Sequence, residues 1–139
     1  MNYKIIGKYI KELKFNIPNP KAFFLLSKDI KNYKINIDIK SNQVKQKIIE
    51  VVTSLQLSST KDDFEKIETK IIFSTIIELS DENLAKEEME KIILIDVPSK
   101  VYTELRQIFI FLFQNSGFED VKISETVDFE KLYKMKKVQ

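Results

Sequence analysis

The chain has no cysteine and no histidine, only two glycines and three prolines, and among its 23 basic residues a single arginine, Arg106. Each shortage closes a route. Without cysteine there are no disulfides, thiolate nucleophiles or zinc knuckles. Without histidine there is no Ser-His-Asp triad, imidazole base or imidazole metal ligand. Glycine only at Gly7 and Gly117 leaves no glycine-rich phosphate loop. Lysine in place of arginine, interspersed with 21 acids to a net charge of +2, argues against nucleic acid, whose readers cluster positive charge and use arginine for bidentate base contacts. The longest wholly apolar run, Ile108 to Phe113, falls far short of the ~20 residues of a membrane span. Lys4, Lys8, Lys11 and Glu12 interrupt every apolar run before Leu13, so no signal-peptide core is expected. A cytoplasmic location without membrane insertion is the expectation.

What remains is ordinary globular material, 43% hydrophobic and 32% charged over 139 residues, enough for one domain. The first two-thirds reads with period two. Tyr9, Lys11, Leu13, Phe15 and Ile17 alternate with Ile10, Glu12, Lys14 and Asn16, and Pro18-Asn19-Pro20 ends the run. Tyr33, Ile35, Ile37 and Ile39 form a second set, Ile49, Val51, Thr53, Leu55 and Leu57 a third, and Ile67, Thr69, Ile71, Phe73, Thr75, Ile77 and Leu79 a fourth. Such alternation predicts strands with one dry face. The polar linkers Ser41 to Lys47 and Ser59 to Asp63 make the last three strands antiparallel neighbours.

The final third predicts helices that cover that face. Ser80 or Asp81 can cap a helix carrying Leu84, Ala85, Met89, Ile92 and Ile93, and Asp96 with Pro98 reads as a second start. That second helix runs through Val101, Leu105, Ile108 and Leu112 to Gly117, a natural C′ residue. After an extended piece, Asp128 to Lys137 predicts a last helix with Phe129, Leu132, Tyr133 and Met135 inward. The fold class is α+β, a four-stranded antiparallel sheet with helices packed on one face.

Two segments do not suit an isolated chain. Ile108 to Phe113 is apolar all round, and a helix apolar on every side is buried on every side. Ile108, Phe109, Ile110, Phe111 and Phe113 are therefore expected at an interface with a second copy, most simply two-fold. Phe23-Phe24-Leu25-Leu26, with Ile30, falls between the first two strands, where loops are usually polar. It is either a core plug or the lining of an exposed apolar groove. The carboxylate pairs Asp62/Asp63, Asp81/Glu82 and Glu87/Glu88 sit in a turn or at a helix start, where acids are ordinary. No catalytic residue, metal site or cofactor is read from them.

The order of elements resembles the SecB family of bacterial export chaperones. Tyr9 to Asn19 is similar to that family's first strand, with its Phe-x-x-Pro-Asn ending. Phe73 matches its Ile-Phe, and Val127-Asp128-Phe129-Glu130-Lys131-Leu132-Tyr133 resembles its final helix. The resemblance implies a homotetramer, a dimer of dimers, that holds unfolded client polypeptides in apolar grooves without ATP. It maps the groove onto Phe23, Phe24, Leu26, Ile30, Ile35, Ile37, Leu132 and Tyr133, and docking of the translocase motor SecA onto Glu12. Asn16 and Lys66 stand where that docking face has acids, and the sequence pI of 8.6 departs from an acidic family. A SecB-like chaperone dedicated to an antitoxin, or a SecB-fold binder of a small apolar ligand or fixed protein partner, are the alternatives.

Overall fold

The computed structural model describes residues 2–29, 33–59, 68–118 and 127–138. Four strands form one antiparallel sheet: β1 (Tyr3–Asn16), β2 (Tyr33–Lys45), β3 (Ile48–Ser59) and β4 (Glu68–Leu79), in the order β1-β4-β3-β2. β1 and β2 are thus the two edges, and helix α1 (Pro20–Asp29) lies between them in the chain. The strand between Ser41 and Lys45 was expected as linker; it stays paired, and only Gln46-Lys47 turns, with Lys47 at φ 67°.

Register fixes the faces. Thr69, Ile71, Phe73, Thr75, Ile77 and Leu79 of β4 are buried on one side, opposite Val51, Thr53 and Leu55 of β3. The expected alternation of β2, β3 and β4 therefore holds where it is described. That of β1 does not. Bulges between Ile5 and Gly7 and between Ile10 and Glu12 each insert a residue, and an inserted residue reverses the faces beyond it. Ile10, Leu13 and Phe15, opposite Phe73, Ile71 and Thr69, share the buried side, while Tyr9, opposite Ser74, turns to the other.

One helical run covers the sheet: α2 (Lys86–Lys91), a π-helical turn (Ile92–Asp96) and α3 (Val97–Gln114). Ser80 and Asp81 do not cap it; Asp81 accepts a hydrogen bond from the Asn83 amide in a turn, and Ala85 precedes α2. Asp96 starts nothing either, being helical itself (φ −64°, ψ −54°). The amide of Val97 donates to the Ile92 carbonyl, five residues back, and this widened turn admits Pro98, which has no N–H to give. From there Val97, Val101, Leu105, Phe109 and Phe113, four apart, with Tyr102 beside them, bury one stripe of α3. Gly117 closes the helix as expected: at φ 94° it lets the Phe118 amide reach the Phe113 carbonyl (3.0 Å) and its own reach Gln114 (3.4 Å). Helix α4 (Phe129–Val138) opens on Asp128, whose side chain accepts the Lys131 amide at 3.0 Å. Among the described residues no helix is long and apolar enough to cross a membrane.

Candidate functional site: two apolar surfaces

Three contacts lay α3 alongside the edge strand β1. The Lys100 amine donates to the Tyr3 hydroxyl at 2.8 Å, Lys8 pairs with Glu104, and the Phe15 and Phe113 rings meet edge-on at 5.2 Å. Ile10 and Leu13 fall between the last two contacts, beside the stretch that contains Phe111. All three are exposed, Phe111 to 62%. Ile10 and Leu13 thus stand exposed on an edge strand whose other long edge pairs with nothing among the described residues, and Phe111 stands exposed on the helix that runs alongside it.

This places the five residues expected at a copy-to-copy contact in two groups. Phe109 and Phe113, each 1% exposed, are inside the chain, packed on Leu55, Ile71 and Leu105 in the main core. A second copy has nothing of them to cover, and their apolarity is explained by the sheet. Ile108 and Ile110 are half-buried against the same core, and Phe111 points away from it.

The second surface is divided along α3. Asn19 and Pro20 open helix α1 where a loop was expected: the Asn19 side chain accepts the Ala22 amide at 2.8 Å, and proline suits a first helical turn. Its described residues divide between the two readings of this segment. Ala22 is buried, and Phe23 plugs the end of α3, its ring 4.9 Å from that of Phe118. A Cβ on Gly117 would stand 3.4 Å from the Phe23 ring, so that glycine serves the packing as well as the turn. Phe24, at 67% exposure, is open. Ile30 and the side chain of Leu26 lie outside the described residues.

At the other half of α3, α4 inserts Phe129 against Tyr102 (6.1 Å) and Tyr133, whose hydroxyl donates to Glu90 at 2.8 Å. Leu132 and Met135, expected inward, are exposed, because α4 is seated through Phe129 and Tyr133, with Leu132 on the flank of that stripe and Met135 on the far side. Ile35 and Ile37 of the other edge strand, β2, are half-buried on the core. The groove residues are therefore not one contact set. Phe24 and Leu132 stand on helices anchored near Gly117 and Tyr102, roughly 20 Å apart along α3 at ~1.5 Å per residue. An extended chain of about seven residues bridges that span.

The outer sheet face mixes polar residues with Val52, Ile72 and Ile76. Its centre is Glu50, which sequence alternation leaves as an ordinary solvent-side acid but which is 9% exposed. Its carboxylate accepts from Ser74 (2.7 Å), Tyr9 (3.0 Å), Asn42 (3.2 Å) and the Lys11 amine (3.3 Å), touching all four strands. The Ser74 bond, opposed by burial and aided by Asn42, Tyr9 and Lys11, lowers its pKa to about 2. Such a group holds its charge at neutral pH and is no proton carrier. Burial likewise raises the Tyr102 hydroxyl, against the Arg106 charge. Glu12, also on the outer face, is exposed and lies 3.4 Å from Lys14.

With this geometry, comparison with known proteins is informative. The family model described as preprotein translocase subunit SecB matches residues 1–139. A Pelagibacter ubique protein named for protein export as SecB is 40% identical over 135 residues, 97% of this chain and 96% of that one. The protein-export protein SecB of Anaplasma phagocytophilum is 25% identical over 142 residues, 94% of this chain and 89% of its own. Among solved structures, the Mycobacterium tuberculosis SecB-like chaperone, in complex with a ChAD peptide from the HigA1 antitoxin, superposes with a TM-score of 0.67. It covers 91% of this chain and 88% of that one at 10% identity, a likeness of fold.

Proposed function

The chain belongs to the SecB family, and on that premise we propose that it is a holding chaperone of protein export which binds unfolded polypeptides on open apolar surface, without ATP. The observation that carries the reading is the division of that surface. Exposed Phe24 and Leu132 stand on helices seated roughly 20 Å apart along α3, with half-buried Ile35 and Ile37 on the same core, which suits an extended client and no compact ligand. Each contact is weak, and several on one chain gain by effective concentration. Tyr133 supports this surface from beneath and Phe23 seats α1, so both act by holding Leu132 and Phe24 outward.

The strip of Ile10, Leu13 and Phe111 is the face for a second copy. An unpaired edge strand with exposed apolar side chains is ordinarily covered, and pairing of copies there leads on to the tetramer of the family resemblance. Glu12 is the residue proposed to meet SecA, on an outer face where Lys4, Lys14 and Lys70 stand among Glu12, Glu68 and Glu78.

The test is suppression of aggregation of a chemically unfolded model protein. Phe24→Ser with Leu132→Ser leaves the fold intact, since both are exposed, and weakens holding several-fold. Full suppression by that variant would remove these residues from the site. Selective binding of one antitoxin peptide, with no effect on unfolded proteins at large, would favour the dedicated chaperone.

A further inference from the structure

Among the described residues β1 pairs through its main chain with β4 alone, and between the pairs Lys4–Glu78 and Lys14–Lys70 it carries two more residues than β4. The second extra residue, Lys11, decides what the edge presents. Before it the even residue Ile10 faces the helices; after it the odd residues Leu13 and Phe15 do. Without that bulge either Ile10 or the other two would turn to the outer face.

Main-chain hydrogen bonds alone do not favour Lys11 over its neighbours as the residue left over. Side chains do so here. Tyr9 and Lys11, the residue two before the bulge and the bulge itself, both reach the Glu50 carboxylate, at 3.0 and 3.3 Å. Glu50 is held in turn by Ser74 of β4, directly opposite Tyr9, and by Asn42 of β2. Closing the bulge by moving the residues before it would turn Tyr9 to the helix side and take one of four donors from a nearly buried carboxylate.

We propose that Glu50 is a positioning residue that fixes the Lys11 bulge, and so the side of the sheet on which the edge strand presents Ile10 and Leu13. What that strip then meets rests on the reading of it as the copy-to-copy face; the placement of β1 does not.

Hydrogen exchange on the full chain tests this, comparing wild type with Glu50→Gln and with the double variant Tyr9→Phe, Lys11→Met, which keeps the carboxylate and its Ser74 and Asn42 partners. In both variants the β1 amides bonded to β4 exchange at least tenfold faster relative to those between β2 and β3. In the cysteine-free background, the pair Lys4→Cys, Glu78→Cys forms its cross-link several-fold less efficiently once Glu50→Gln is added. Loss of β1 protection with an unchanged solution mass supports the role of Glu50 and sinks only the copy-to-copy reading. Exchange that rises equally in every strand, or not at all, overturns the proposal whatever the mass.

Discussion

Replacing Phe111 by aspartate separates the face of α3 that the chain itself buries from the face it leaves to a neighbour. Phe111 is 62% exposed, with Phe109 and Phe113 sealed on either side of it. Of the ~200 Å² a phenylalanine side chain can bury, roughly 120 Å² therefore remains in water, worth about 3 kcal/mol when covered at ~25 cal/mol/Å². A two-fold contact uses the residue twice, so Phe111→Asp costs the association about 6 kcal/mol, roughly four orders of magnitude in Kd, before any desolvation of the new charge. The folded chain itself changes by less than about 0.5 kcal/mol, since an exposed position carries little of its stability. Sedimentation velocity across a micromolar concentration series reads the first effect, and circular dichroism with urea titration the second. A variant that sediments as wild type at every concentration would refute the placement of the interface on this strip.

The other predictions concern the chain's own stability. Phe109→Ala empties a site 1% exposed in the main core, so it destabilises the fold by about 3–5 kcal/mol and lowers the urea midpoint, where a purely interfacial residue would not. Acid acts through Glu50, whose pKa falls from 4.5 to about 2 on folding. Its contribution, up to about 3 kcal/mol at ~1.4 kcal/mol per unit, is complete above pH ~4.5 and is lost as pH falls through 2. Urea titrations at fixed protein concentration from pH 7 to 2 should show wild type losing most of this increment and Glu50→Gln not; parallel curves would contradict the assignment.

The sequence disclosed the elements whose burial follows a single period. β3 and β4 alternate cleanly, because both are central strands with register enforced from two sides. α3 carries its stripe from Val97 to Phe113, and Gly117 announces its end. Some misses come from a local feature one residue wide, others from distant partners. The Lys11 bulge moves Tyr9 and Ile10 to opposite faces from those alternation assigns, and no residue type there advertises it. Leu132 and Tyr133 are adjacent, and only the seat of α4 on Tyr102 and Glu90 decides which is buried. α1 was legible in part: Asn19-Pro20 is a helix start, but the apolar run after it has no single stripe. Phe109 was apolar for the sheet's sake, which a count of apolar faces cannot distinguish from an interface. Glu50 stands between Ile49 and Val51 as any solvent-side residue would, and its four partners come from strands up to 41 positions away.

The measurement that bears most directly on the chaperone reading is the solution mass by light scattering, with and without an equimolar unfolded model protein and in the absence of ATP. The account predicts a tetramer that takes up the unfolded chain as a single complex. A monomer whose mass is indifferent to unfolded protein would contradict both the covered edge and the holding of clients.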